Sequence, residues 1–352
     1  MTGPGGLPLL GDVGPDAEHC SYCPKMCRFA CPVAEATGLE SVTPWGIDRV
    51  IAALARGEQL TAEQQRPVWA CTGCRQCGGA CVPGLDLPTH VRAARRHAVD
   101  SGAAPAGIDD AAGSAVTPSA ALAAGATPGA TLLVYPGCAS AEGDALATVL
   151  AAAGLAYDVV GDATCCGARA ADVGMAAAAE ERAGGLAARL DGAATVEQIV
   201  VADPHCARGL RSDRGDARVV TLPTFLAGIV ARLPLRGDGT AAAWHDPCWL
   251  GRGMTEYDAA RAVMTAADGA PPLEPEHTRD RAWCTGGGMG FPQTDPEAAE
   301  EILRRRTAEL RATGAAATVT ACPTAAARLR AGGLDAFDLA TYLAFRLEGP
   351  SA

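Results

Sequence analysis

A chain of 352 residues with 49% hydrophobic content can build cores for two or three domains, but only 4% of it is aromatic, so those cores rest on small side chains. A net charge of -11 and a pI near 5.0 exclude the basic stripe that a nucleic-acid partner requires. The 15 cysteines follow no charged-then-apolar leader, which argues against a secreted disulfide framework, and no apolar run reaches the roughly 18 residues that span a bilayer. The expected setting is the cytoplasm, with peripheral docking on the inner face of the cytoplasmic membrane as an extension of it.

Residues 1–18, rich in Gly, Pro and Asp, are expected to form a flexible arm. A first cysteine group follows at Cys20, Cys23, Cys27 and Cys31-Pro32, and a second at Cys71, Cys74, Cys77 and Cys81, with Pro83 close behind. In such a run three closely spaced thiols wrap one iron-sulfur cube and the fourth ligates the other. Crossed in this way, Cys20, Cys23, Cys27 and Cys81 are the expected ligands of one 4Fe-4S cluster, and Cys71, Cys74, Cys77 and Cys31 of a second. Three residues separate Cys23 from Cys27 where two are usual, and a loop bulge is expected to absorb the extra one. Zinc is the alternative for the same soft donors.

Between the groups, Thr43 as cap, Pro44 in the first turn and apolar Ile47, Val50, Ile51 and Leu54 predict a helix that Gly57 ends. A second helix is expected from Thr89 to about Val99, with His90, Arg92, Arg95, Arg96 and His97 mostly on a solvated face. Together these make residues 19–100 an α-helical two-cluster ferredoxin-like domain, and the Ala, Gly, Ser, Pro and Thr of 101–130 a linker.

Two copies of one unit follow, over residues 131–235 and 240–350. In the first, a strand at 132–135 leads to Cys138, a helix to a strand at 157–160 and then Cys165-Cys166-Gly167, and a further helix to the strand 199–202 and Asp203-Pro204-His205-Cys206. In the second, a strand at 241–245 enters Asp246-Pro247-Cys248, Cys284-Thr285-Gly286 takes the place of Cys-Cys-Gly, and the strand 318–320 enters Cys322. Cys166 to Asp203 and Thr285 to Cys322 are both steps of 37 residues. Strands alternating with helices predict α/β repeats of βαβ units with parallel sheets, and each cysteine falls at a strand end, where ligands collect.

The double ferredoxin motif, followed by two Cys…Cys-Cys-Gly…C-x-x-C units with His245-Asp246-Pro247-Cys248-Trp249-Leu250-Gly251-Arg252 and Cys284-Thr285-Gly286-Gly287-Gly288, resembles the cysteine-rich (CCG) domain family. That family includes heterodisulfide reductase subunits and the iron-sulfur subunits of glycolate, lactate and glycerol-3-phosphate dehydrogenases. The resemblance implies a further cluster on the repeat thiols: Cys138, Cys165, Cys166 and Cys206 in the first, with Asp203 or His205 nearby, and Cys248, Cys284 and Cys322 for a possible second. A full repeat in that family offers five thiols; here Asp203, Thr285 and Ala325 stand in thiol positions, so neither repeat can form the five-thiol site. The second repeat is expected to be either a cluster site or a clusterless scaffold.

Gly167, Gly286, Gly287 and Gly288 are expected to let the backbone approach a cluster with amide groups aimed at sulfide. His245 and Asp246 are expected to fix their loop and hydrogen-bond cluster sulfur, while Asp203 and His205 read as turn and helix-start residues. The resulting expectation is an electron-transfer subunit that receives electrons from a partner flavoprotein dehydrogenase and passes them to a quinone or another acceptor. The alternatives are a thiol-disulfide reductase of the heterodisulfide type, with Cys284, Cys322 and Cys248 as candidate catalytic thiols, and a zinc-binding interaction protein.

Overall fold

A computed structural model describes residues 10, 12–113, 117–137, 143–161, 164–193 and 195–348. Cys138, an expected ligand of the first repeat, lies outside them. The chain divides into two compact units, the first comprising residues 1–113, 169–180 and 283–306, the second 114–168, 181–282 and 307–352.

The first unit is helical. Thr43 accepts a hydrogen bond from the Gly46 N–H and so caps the helix Pro44–Ala55, an arrangement that contributes about 1 kcal/mol. Ile47, Ile51 and Leu54 form its buried stripe and pack with Val68, Trp69, Val91, Ala94 and Ala98 in one core. The second helix, Leu87–Asp100, starts two residues before Thr89; its cap is Asp86, whose carboxylate accepts from the Thr89 hydroxyl at 2.7 Å. Its face is not solvated as expected, because Arg95 is fully buried and His90 is 3% exposed. Burial of Arg95 is tolerable because its guanidinium finds four backbone carbonyls, as described below.

The expected linker carries structure of its own: Ile108 is buried in the turn Ile108–Ala112, and Leu122 in the helix Ala120–Ala124. Leu122 belongs to the core of the second unit, which holds two parallel sheets. In the first sheet, β1 (Leu132–Tyr135), β2 (Asp158–Val159), β3 (Gln198–Val201) and β4 (Val219–Thr221) run in the order β2-β1-β3-β4. In the second, β5 (Ala243–His245), β6 (Thr318–Thr320) and β7 (Ala336–Asp338) run in that order. All pairs are parallel, with Val134 opposite Val200 and Trp244 opposite Val319.

Those four residues also join one core shared by both sheets, with Leu146, Leu150, Leu226, Val263 and Leu343 from the covering helices. Strands buried on both faces read as continuous apolar runs, as Ile199-Val200-Val201 do. β4 and β7 are additional to the strands expected from sequence. Each follows a crossover from its neighbour and extends its sheet by one edge.

Candidate metal centres

The two N-terminal cysteine groups form the same loop twice. Lys25 and Arg75, each two residues before the third cysteine, take left-handed backbone angles with φ of 66° and 60°. A 3-10 turn follows each, Met26–Ala30 and Gln76–Ala80, and delivers Cys31 and Cys81 in extended conformation. The N–H of each fourth cysteine donates three residues back, to Arg28 and Gly78. Counted back from Cys27 and Cys77 the loops are in register, so the extra residue is Pro24, inserted between Cys23 and the left-handed residue. The insertion leaves the turn that places the fourth thiol untouched.

The two turns pack on one another and exchange their fourth thiols. Cys27 lies within electrostatic reach of Cys81 and Cys23, and Cys20 within reach of Cys27 and Cys23. Cys77 lies among Cys74, Cys71 and Cys31. Burial pushes the Cys31 thiol up to about 12 and that of Cys71 to about 11, the latter against the pull of Arg95. It also raises Cys20, Cys27 and, well above the usual range, Cys77. Thiols so reluctant to ionise alone give up their protons when a cationic iron assembly takes their place. Backbone amides already point at sulfur: Gly73 N–H donates to Cys71 Sγ and Leu85 N–H to Cys81 Sγ, both at 3.4 Å. A buried set of soft donors with amide support fits an iron-sulfur cluster in each cradle.

The surroundings differ in charge. Beside the first cradle, Asp48 is 2% exposed, hydrogen-bonds the Cys20 thiol and pairs with His90 Nδ1 at 2.9 Å. Beside the second, the Arg95 guanidinium donates to the carbonyls of Val68 (2.9 Å), Asp172 (2.9 Å), Met289 (2.6 Å) and Cys71 (3.1 Å), and lies over the Trp69 ring. Its nearest carboxylate, Asp172, is engaged by Arg92, leaving a net positive charge behind the loop. Neither Asp48 nor Arg95 was expected at these positions.

Cys284 and its glycines belong to the first unit. Gly286 N–H donates to Cys284 Sγ at 3.2 Å, and that thiol lies 3.5 Å from the Thr72 hydroxyl. A Cβ on Gly288 would stand 2.2 Å from the Thr72 carbonyl oxygen, so only glycine fits against the second cradle there. Gly287 is partly buried in the same turn.

In the second unit the duplication is visible at the strand ends. β3 leads into Asp203-Pro204 and β6 into Cys322-Pro323, so Asp203 and Cys322 are the N-caps of equivalent helices, Pro204–Arg208 and Pro323–Ala331. Asp203, 2% exposed, accepts from the His205 N–H at 2.8 Å, the turn role expected of it. Cys322 sits within electrostatic reach of Asp203 and Cys248, and burial followed by those charges drives its pKa far up. Cys206 Sγ lies 3.2 Å from Cys166 Sγ, while Cys165 is buried and receives the Gly167 N–H at 3.4 Å. A Cβ on Gly137 would stand 2.7 Å from the Asp203 Cβ and 3.3 Å from Cys206 Sγ, which brings those two side chains onto one spot. His205 stacks on Trp249, the neighbour of Cys248, with ring centres 5.0 Å apart. Thiols of both repeats thus gather about Asp203.

Asp246, ionised and accepting on both oxygens, has no proton to donate to cluster sulfur. Arg261 clamps it through two 2.8 Å contacts, and the Trp244 indole, the Thr278 hydroxyl and the Arg279 N–H complete its shell. Burial alone would raise this carboxyl, but those donors hold it at about 2, permanently ionised near neutral pH. Its role is to fix the loop after β5. His245 is 3% exposed at the end of that strand.

The matches to known families take in all 15 cysteines. The 4Fe-4S dicluster domain matches residues 16–85 and the cysteine-rich domain matches residues 132–211 and 242–330. A probable membrane-anchored ferredoxin of Chromohalobacter salexigens is 34% identical over 46% of this chain and 28% of its own length. One subunit of the fumarate reductase (CoM/CoB) of Methanothermobacter marburgensis is 24% identical over 84% of this chain and 64% of its own length. An EtfAB:quinone oxidoreductase of Syntrophomonas wolfei is 28% identical over 54% of this chain and 30% of its own. The chain therefore spans less than two thirds of each of these relatives. With a dicluster domain leading into two cysteine-rich repeats at the positions of the cradles and strand-end thiols, it belongs with the cysteine-rich (CCG) domain iron-sulfur proteins.

Proposed function

We propose that this chain is the electron-transfer subunit of a flavin-linked oxidoreductase, taking electrons from a flavoprotein partner and delivering them to a quinone or another acceptor. The crossed thiols carry this reading: Cys20, Cys23, Cys27 and Cys81 serve one 4Fe-4S cluster, and Cys71, Cys74, Cys77 and Cys31 the other. When bound, such clusters supply one-electron carriers whose potentials the protein sets through charge, amide donors and burial. Asp48 disfavours an added electron at the first cradle, and Arg95 favours one at the second, so the order of transfer is first to second. Gly286 and Gly288 bring backbone close to Cys284 and Thr72, on the side of the second cradle.

In the second unit, Cys165, Cys166 and Cys206 together with Cys322 and Cys248 form one composite terminal centre around Asp203, in place of a separate centre in each repeat. Among the described residues no helix is long and apolar enough to cross a membrane. The close Cys166–Cys206 pair favours one second reading, a thiol-disulfide reductase in which this dithiol replaces the candidates Cys284, Cys322 and Cys248.

Anaerobic reconstitution tests both readings. Iron and acid-labile sulfide in matched amounts, about eight or more atoms of each per chain, are expected for two cubes; stoichiometric zinc without sulfide would return the protein to the zinc class. Cys81→Ser and Cys77→Ser are expected to remove different EPR signals, and Cys166→Ser and Cys322→Ser to remove one and the same further signal. Reduction of a heterodisulfide by the reduced protein, lost in Cys206→Ser, is the outcome that would favour the reductase.

A further inference from the structure

Among the described residues seven large apolar side chains are exposed, and four of them, Tyr22, Met26, Phe29 and Val82, stand at the first cradle, from 59% exposed at Met26 to 94% at Val82. Tyr22, Met26 and Val82 are the chain neighbours of Cys23, Cys27 and Cys81, thiols that Cys27 has within electrostatic reach, and Phe29 is on the turn between Cys27 and Cys31. The four make one patch over one cradle. Scattered exposed apolar residues need no explanation, whereas a cluster of them marks an interaction surface. Beneath this one, Cys23 and Cys81 are themselves partly exposed, while in the second cradle only Cys77 is.

The charges about the patch say what fits it. In a chain of net charge -11, the stretch from Cys20 to Cys31 carries only Lys25 and Arg28, both positive. They reach for the same carboxylate, Glu40, at 3.3 and 3.1 Å. Trp45 ties the neighbouring helix to this loop, its indole N–H donating to the Ser21 carbonyl at 3.2 Å, and its ring carries both the Lys25 ammonium, 3.6 Å from the ring centre, and the Arg49 guanidinium, 5.0 Å from it. Three cations thus share one carboxylate, and Glu18, which accepts from the Tyr22 hydroxyl, is matched by Arg56 at 2.6 Å. An apolar centre with a positive rim complements a protein face that sets carboxylates around an apolar spot. A second copy of this chain does not offer one, because a two-fold interface would turn cation against cation.

We propose that this patch is the docking face for an acidic electron-carrier protein, which delivers its electrons to the first cradle across Cys23 and Cys81. The assignment rests on the electron-transfer reading above and adds to it the surface at which electrons enter. The carrier gives up one electron per encounter and the loaded cradle gains it; no bond forms or breaks and no proton moves. The rim cations steer the carrier in and the apolar centre holds it.

Reconstituted full-length protein, checked for iron, sulfide and both cradle EPR signals, is mixed in a stopped-flow instrument with an acidic flavodoxin in its hydroquinone form, and in parallel with dithionite, which needs no docking face. As ionic strength rises from about 0.01 to about 0.1 M and the screening length shrinks from about 30 to about 10 Å, the flavodoxin rate is expected to fall. Two acidic proteins meeting without such a patch repel, and salt would speed them instead. Arg49→Glu, on the helix outside the cradle loops, is expected to slow the flavodoxin reaction about tenfold at low salt and to remove its salt dependence. Phe29→Ser and, outside the turn, Val82→Ser are each expected to slow it about fivefold at every salt concentration. Dithionite reduction and both signals should stay as they are in all three. A flavodoxin rate that rises with salt and ignores the three substitutions, or no reduction by flavodoxin of protein that dithionite reduces, would overturn the proposal. Binding to phosphatidylglycerol vesicles that Phe29→Ser abolishes, with the flavodoxin rate unchanged, would reassign the patch to a lipid surface, and a dimer in sedimentation that the same substitution dissociates would reassign it to a second copy. Absence of the two signals would instead defeat the electron-transfer reading itself.

Discussion

From Lys25 to Cys31 and from Arg75 to Cys81 the backbone follows the same path, yet a buried carboxylate stands behind the first loop and a buried guanidinium behind the second. The loop geometry is generic: a left-handed residue, a 3-10 turn and an extended fourth cysteine are enough to place four thiols. What distinguishes the two centres is the helix packed against each, Pro44–Ala55 with Asp48 or Leu87–Asp100 with Arg95. A negative charge raises the energy of an added electron and a positive one lowers it, so identical ligand sets acquire different potentials. Duplication supplies two like cradles, and the helices packed on them give each a different charged neighbour.

Substitutions at these helices and loops break the contrast in graded steps. Arg95→Met should have the largest effect, about 3–5 kcal/mol, because a buried charged network is broken and four carbonyls lose their donor. Anaerobic denaturant unfolding followed by circular dichroism reads this, and Arg95→Lys separates charge from geometry: it should lose most of the same stability while shifting the second centre's potential less. Gly288→Ala comes next at about 1–3 kcal/mol, since its methyl group must displace the Thr72 carbonyl. The accompanying EPR change should be confined to the second centre; an equal disturbance of both would count against the assignment.

Asp48→Asn should leave the fold in place and raise the potential of the first centre by about 60 mV, a tenfold factor for a one-electron couple. A shift of the second centre instead would reverse the proposed polarity. Smallest of all is deletion of Pro24, which gives the first loop the spacing of the second. Stability should change by no more than about 0.5 kcal/mol, with both EPR signals retained. Loss of the first signal would show that the inserted residue matters to the ligand geometry.

Much of the molecule was legible in the cysteine spacing and in the alternation of strand and helix patterns. The strands at β1, β3, β5 and β6 emerged because buried parallel strands read as short apolar runs ending in Pro or Cys. β4 and β7 were harder to see: Val219-Val220-Thr221 and Ala336-Phe337-Asp338 are three-residue runs with no cysteine to mark their ends. Asp48 and Arg95 were missed for a different reason, though each left a trace. Asp48 falls three residues before Ile51 on the apolar stripe of its helix, and Arg95 falls four after Val91 and three before Ala98 on its own. A charge inside an apolar stripe signals a buried ionic partner. Among several charges on one short helix, that signal was read as surface.

The crossing of the fourth thiols was expected from the run of three closely spaced thiols followed by a fourth, and Cys81 does lie near Cys27 and Cys31 near Cys77. The meeting of Cys322 and Cys248 with Asp203 was not expected, since it depends on how two sheets share a core, which no local pattern records.

The polarity of the two cradles is tested most directly by an EPR-monitored redox titration of the reconstituted wild type beside Asp48→Asn and Arg95→Met. Two signals with separate midpoints are expected, the lower one belonging to Cys20, Cys23, Cys27 and Cys81. Asp48→Asn should raise only the lower midpoint, and Arg95→Met should depress only the upper. Two centres with one common midpoint, indifferent to both substitutions, would contradict the account.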